Sequence, residues 1–376
     1  MFMTKKEAKN YYAFEAYEPC PCKSGKKYKF CCYEKSKFNN KTEPYYHPKR
    51  IIAEAHQEFN KTDFETCFAF NRDKCSKNII GAHSLQNNGV LNQIATDNHV
   101  YKLSFEITNN LSTLKFDKIG KNQASKFKGF CKDHDKEYFS CIEDTEYTGT
   151  DEQNFWFAFR AFCFELHRKE RLNRFIPTFF RKRPHATREP HFQMQYKVCK
   201  LDLRDKSVEY NRFKEIYENN SYDKLDTFVK ILPYKVGFTG TTAVAVNVDI
   251  TGKRAIDIYD HNEQAFIPAI YISVIPKEST SLIIVSRHVD DTCYESLIEN
   301  LKQNKDDKML FEYLSFCLAE YSENVYFSPV LIDNLSVSEK DVIISAFSSS
   351  LNADSERRLN TLIKGFKINL FDLKYT

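Results

Sequence analysis

The spacing of apolar positions along this chain changes several times, and each change marks a new kind of element. Between 154 and 176, Phe155, Phe159, Phe162 and Leu166 recur at three- and four-residue intervals. That period places them on one side of an α-helix, and Pro177 is expected to end it. The Phe stripe reads as core packing, not as a cofactor box. A second helix is expected over 192–219, paired with the first as a helical hairpin. Earlier in the chain, Ile51, Ile52, Ala55 and Phe59 share one helical face. Ile79 and Ile80 suit a strand leading to His83, Gly89 a turn, the stretch 90–95 a short helix, and 99–107 a strand. From Tyr234 the period shortens. β-branched runs over 241–250, 255–259, 269–275 and 281–286 predict a meander of about four strands. Helices are expected over 292–303, 308–322, 338–349 and 355–364.

Length turns this pattern into a domain plan. A chain of 376 residues exceeds one ordinary core. Composition shifts put the expected boundaries at 1–48, 49–150, 151–230 and 231–376. Charged residues at 28% and apolar residues at 42% indicate a globular, soluble chain and exclude a disordered one. A net charge of +4 is too small to imply nucleic acid by itself, so local clustering must decide. No apolar run approaches the roughly 20 residues needed to span a bilayer. Met1 to Asn10 is polar, without the apolar core of a signal peptide. The expectation is a cytoplasmic protein with no membrane partner. In that compartment twelve cysteines suggest metal before disulfide. Cys141, Cys163, Cys199, Cys293 and Cys317 lie apart from the others and are expected as core thiols. The C-terminal half carries no Gly-rich phosphate loop, no G-x-S-x-G and no H-E-x-x-H. Asp257, Asp260, His261 and Glu263 there read as a polar strand-end loop.

The first metal motif is Cys20-Pro21-Cys22, then Cys31-Cys32, spaced C-x-C-x8-C-C. Gly25 permits a tight reversal between the pairs, and a piece this small needs a metal staple to fold. With Pro19 and Ser24-Gly25-Lys26-Lys27-Tyr28-Lys29 around them, these residues resemble the SEC-C zinc motif. Lys23 stands where that family usually has glycine, and Cys32 where histidine is also common. The resemblance implies a docking module. Its basic run, Lys23, Lys26, Lys27 and Lys29, suits an acidic protein partner or nucleic acid; a small stabilising knob with a solvated face is the other reading. Residues 35–48, with Pro44 and Pro48, read as a linker.

A second set of ligands comprises Cys67, Cys75, Cys131 and His134. Thiolate sulfur and imidazole nitrogen in this number can surround one tetrahedral Zn²⁺. His83 is left over. The arrangement resembles HNH-type treble-clef nucleases in a divergent form. Cys67 and Cys75 match the first knuckle, His83 the general-base histidine of the hairpin, and Cys131 and His134 the knuckle that begins the closing helix. A long insertion separates His83 from Cys131. His99 is a second catalytic candidate, with an ordinary structural histidine as its alternative. Lys121, Lys126, Lys128 and Lys132, with Lys136, surround the second knuckle between Phe127 and Phe130, and such a rim would track a phosphate backbone. The basic run from Arg168 to Arg188 reads equally as a solvated helix face or as an extension of that channel.

The expected fold is α+β: an N-terminal SEC-C knob, a treble-clef-like finger, a helical segment and a C-terminal α+β domain with a short antiparallel meander. The resemblances imply a zinc-stabilised, metal-dependent HNH-like endonuclease, a component of bacterial nucleic-acid defence or a toxin. Two structural Zn²⁺ would hold the fold, and Mg²⁺ or Mn²⁺ would serve catalysis. The alternative is a non-catalytic zinc-binding adaptor or nucleic-acid-binding protein.

Overall fold

A computed structural model describes residues 12–38, 48–108, 111–258, 264–348 and 368–372. The chain is α+β with antiparallel sheets. Helix α1 (Cys32–Phe38) follows the N-terminal cysteines, so residues 35–38 of the expected linker are helical. Residues 39–47 lie outside the described part, and α2 (Pro48–Lys61) follows. Strand β1 (Ile79–His83) pairs antiparallel with β4 (Lys126–Cys131), and α3 (Lys132–Glu143) begins at once after it. Between β1 and β4 come two short helical turns, Asn87–Leu91 and Asn92–Ile94, and then the hairpin of β2 (His99–Thr108) and β3 (Leu111–Gly120).

Two long helices form the hairpin that the apolar period predicts. Helix α4 covers Asp151–Lys182 and α5 covers Pro190–Asn219. The Thr150 side chain accepts a bond from the Gln153 backbone N–H and caps α4, while Asp151 and Glu152 meet the positive end of its dipole. Asn220 closes α5 in the left-handed conformation, φ 50°. Pro177 does not end α4, as expected from the sequence, but lies inside it. An interior proline removes one helical hydrogen bond and crowds the preceding turn. Here Phe175, Ile176, Phe179 and Phe180 on either side of it are buried, and their packing offsets that cost.

The main sheet has seven strands in the order β3-β2-β9-β6-β7-β8-β5. Its later members are β5 (Leu225–Leu232), β6 (Phe238–Val244), β7 (Ile270–Pro276), β8 (Ser281–His288) and β9 (Val325–Phe327). The expected four-strand meander is therefore part of a larger sheet. Strand β9 bridges β2 to β6, so hydrogen bonding runs across the boundary expected near residue 150. The run predicted as a strand over 241–250 leaves the sheet after Val244. Of 255–259, Ala255 to Ile258 form no strand and Tyr259 is outside the described residues. Strands β7 and β8 are buried at every position because both faces are covered. One face meets Phe213 of α5 through Tyr271; the other packs on α6 (Glu295–Gln303) and α7 (Asp307–Tyr321). Helices α8 (Pro329–Asn334) and α9 (Val337–Ser348) complete the described chain apart from 368–372; the helix expected over 355–364 lies outside it.

The N-terminal knob packs firmly on the hairpin. Phe14 meets Phe180 at 6.0 Å and Tyr196 at 5.5 Å between ring centroids, and the Tyr28 hydroxyl lies 3.1 Å from Thr187 Oγ1. Among the described residues no helix is long and apolar enough to cross a membrane.

Candidate metal centres

Both predicted ligand groups come together. The sulfur atoms of Cys20, Cys22, Cys31 and Cys32 lie within 4.8 Å of one another, and so do the ligand atoms of Cys67, Cys75, Cys131 and His134. In the first group a tight turn does the positioning. Lys23 and Gly25 adopt φ 57° and 79°, and the Cys20 N–H bonds to Lys26 O at 2.8 Å, which folds the two cysteine pairs onto each other. Glycine suits the second of these positions because it enters the left-handed region without strain. Cys22 and Cys31 are separated by 3.6 Å. Tetrahedral Zn–S bonds of about 2.3 Å would give sulfur–sulfur edges of about 3.8 Å. All twelve cysteines are free thiols.

In the second group, β4 delivers Cys131 as the residue that begins α3, and His134 sits one turn in. His134 Nδ1 lies 3.2 Å from Cys131 Sγ and 3.5 Å from Cys67 Sγ. The mixed edge of a tetrahedral site is about 3.6 Å. Gly129 lets this corner close: a Cβ there would fall 2.3 Å from the Phe127 ring. In both groups burial raises some thiols, Cys32 among them, and hydrogen bonds lower others. Burial pushes Cys20 and Cys67 up to about 11. Burial also raises Cys22 and Cys131, but hydrogen bonds outweigh it. Ser24 leads for Cys22 and the His134 backbone for Cys131, leaving them at about 7 and about 6. Thiolate is the form that binds a metal. Both groups could hold a metal ion, and the donor sets fit one.

His83 lies outside the second group, at the far end of β1 opposite Lys126. It is half-buried, and its Nδ1 lies 2.9 Å from the Ala124 carbonyl oxygen. A carbonyl can only accept, so Nδ1 carries the proton and Nε2 of the neutral ring is the basic nitrogen. Burial lowers its pKa, and Arg160 and Lys126 act in the same direction. These charges identify a polar neighbourhood that the motifs alone did not reveal. Arg160 of α4 is 4% exposed, pairs with Glu143 at 2.5 Å, and leaves its Nε without a partner among the described residues. Asp135 of α3 likewise has a buried, unpartnered Oδ1. Burial raises its pKa and Glu143 adds to this, against the pull of Arg160. Arg160 could have been suspected as a cation inside the apolar run 155–164; Asp135 only from following His134.

The remaining candidates separate. His99 is exposed at the start of β2, with Nδ1 2.6 Å from the Asp97 carbonyl, and no described contact joins it to His83. The basic rim is thinner than expected. Lys121 is buried, with Nζ 3.0 Å from Asn92 Oδ1, and so is not on a rim at all. Lys128 pairs with Glu65 at 3.0 Å and Asp63 at 3.8 Å. Lys126 and Lys132 are exposed. Much of the basic run on α4 is occupied in ion pairs: Arg168 with Glu165 and Glu323, Lys169 with Asp202, Lys182 with Glu58 and Arg183 with Glu54. No family model, curated protein or solved structure matches the chain.

Proposed function

We propose that the chain is a zinc-stabilised, metal-dependent endonuclease of HNH-like type, with zinc in both cysteine groups and His83 as general base. The observation that carries this reading is the state of His83. It lies on the strand that pairs with Cys131 but outside the second metal group, four residues along β1 from the Ile79–Cys131 pair, and the Ala124 carbonyl fixes its tautomer. A neutral ring with a basic Nε2 can take a proton from water as the oxygen attacks a phosphodiester phosphorus and the P–O bond to the leaving oxygen breaks. Its lowered pKa keeps it neutral and competent at neutral pH. We assign Asp135, with its buried orphan oxygen, as the carboxylate that would hold a catalytic divalent ion. Mg²⁺ or Mn²⁺ held there would neutralise charge developing on the phosphate and the leaving oxygen. Arg160 and Lys126 bring positive charge to the same neighbourhood.

The test is metal analysis of the purified chain together with plasmid and RNA cleavage in added Mg²⁺ or Mn²⁺. Two zinc ions per chain and cleavage abolished by His83→Ala support the reading. The burial of Lys121 and the pairing of Lys128 favour a second reading, a non-catalytic zinc-binding adaptor. Zinc in both sites with no cleavage under either ion would select it.

A further inference from the structure

The surface of the N-terminal knob carries two large rings that are exposed among the described residues. Tyr17 is 60% and Phe30 62% exposed. They stand edge to face, centroids 6.4 Å apart. Lysines hold the space around them. Lys29 Nζ lies 5.2 Å from the Tyr17 ring centre and 5.8 Å from that of Phe30, and Lys27 Nζ lies 5.4 Å from Tyr17. Lys29 also donates to the Tyr17 hydroxyl at 3.3 Å. Lys23 and Lys26 are exposed on the same turn. Among the described residues no carboxylate makes an ion pair with any of these four lysines.

This face is rigid beneath its rings. Phe30 belongs to the turn Tyr28–Phe30, whose buried Tyr28 is anchored on Thr187, and Cys31 follows within the buried cysteine group. Ring faces beside unpaired ammonium groups are what a single nucleic-acid strand requires: bases stack on the rings and phosphates meet the cations. A duplex keeps its base faces inside and cannot use the rings. An acidic peptide would use the lysines and leave the rings idle.

We propose that Tyr17 and Phe30, with Lys23, Lys26, Lys27 and Lys29, form a binding face for single-stranded nucleic acid that contacts bases and phosphates. This deepens the nuclease reading by giving the substrate strand a second point of attachment, on residues separate from His83. The experiment is fluorescence anisotropy of labelled oligothymidylate, oligouridylate and a matched duplex, titrated with the full metal-loaded chain. The two single strands are expected to bind alike and the duplex more weakly. Tyr17→Ala/Phe30→Ala should weaken single-strand binding by about 30-fold or more, at roughly 1–3 kcal/mol per stacked base, with metal content and melting temperature unchanged. Lys27→Gln/Lys29→Gln should flatten the log–log salt dependence by about 1.4. Equal binding by the ring variant and the parent, or duplex binding as tight as single-strand binding, would overturn the proposal. So would competition by polyglutamate equal in the parent and the ring variant, which would mark an acidic-protein surface instead. His83→Ala should bind the oligonucleotides as the parent does, so failure of the nuclease reading leaves this result intact.

Discussion

At the scale of single residues, His83 and the clustered ligands should fail in opposite ways. On the proposed nuclease reading a general base is worth roughly 10²–10⁴ in rate, so His83→Ala should lose cleavage while keeping the bound metal and the melting temperature of the parent. Cys131→Ala removes a buried ligand at the junction of β4 and α3. One metal equivalent and the cooperative folding of that corner should go with it, read by elemental analysis and calorimetry. Release of metal by His83→Ala would make His83 a ligand and place Cys67 in doubt. The histidines also set a pH dependence. His56, His83, His167 and His288 are all held below their ordinary value of 6.5 by burial. Below 6.5 the unfolded chain takes up protons that the native chain refuses, so stability falls as pH falls. Asp291, pushed up to about 6 by burial, acts in the opposite sense, but only below that value. The melting temperature should therefore drop between about pH 7 and 6; a flat profile there would contradict the burial of these rings.

At the scale of elements, α4 is the member on which three of the buried clusters meet. Phe159 and Phe162 are fully buried and pack on Phe213 of α5 at 5.3 and 5.1 Å. Replacing either by Ala should cost about 3–5 kcal/mol, measured by denaturant titration. Thr150→Ala removes the cap and should cost about 1 kcal/mol. The stripe that predicts α4 is visible because one helix face must stay apolar over many turns. Its passage through Pro177 is not visible, because the aromatic packing that outweighs proline comes from Phe192 and the N-terminal segment, distant in sequence.

At the scale of the whole molecule, the N-terminal knob behaves as part of the fold. The linker reading suggests that a chain starting at Lys49 should fold alone. The observed packing predicts otherwise: Phe180 and Tyr196 would lose Phe14, and Thr187 would lose Tyr28. Such a truncation should melt lower and expose an apolar patch, detected as increased dye binding or aggregation. A truncated chain with unchanged stability and solubility would restore the independent-knob view.

The sequence by itself picked out the two groups that could hold a metal, because cysteine and histidine pairs at short spacing stand out in the chain, although only folding brings Cys67 and Cys75 to Cys131 and His134. It also determined the helical hairpin, most later helices and the α+β class, since amphipathic period is a local record of one buried face. The tertiary structure alone decided the rest. Strands β4, β5 and β9 gained their identity from partners far away in the chain, and β3 from its hairpin with β2, whereas β7 and β8, covered on both faces, were legible from their β-branched runs and not from alternation. The placing of Lys121 inside and Lys126 outside likewise depends on which neighbours fold over each, as does the meeting of Arg160, Glu143 and Asp135 beside His83. For these polar residues burial is set by the completed packing, and no spacing along the chain encodes it.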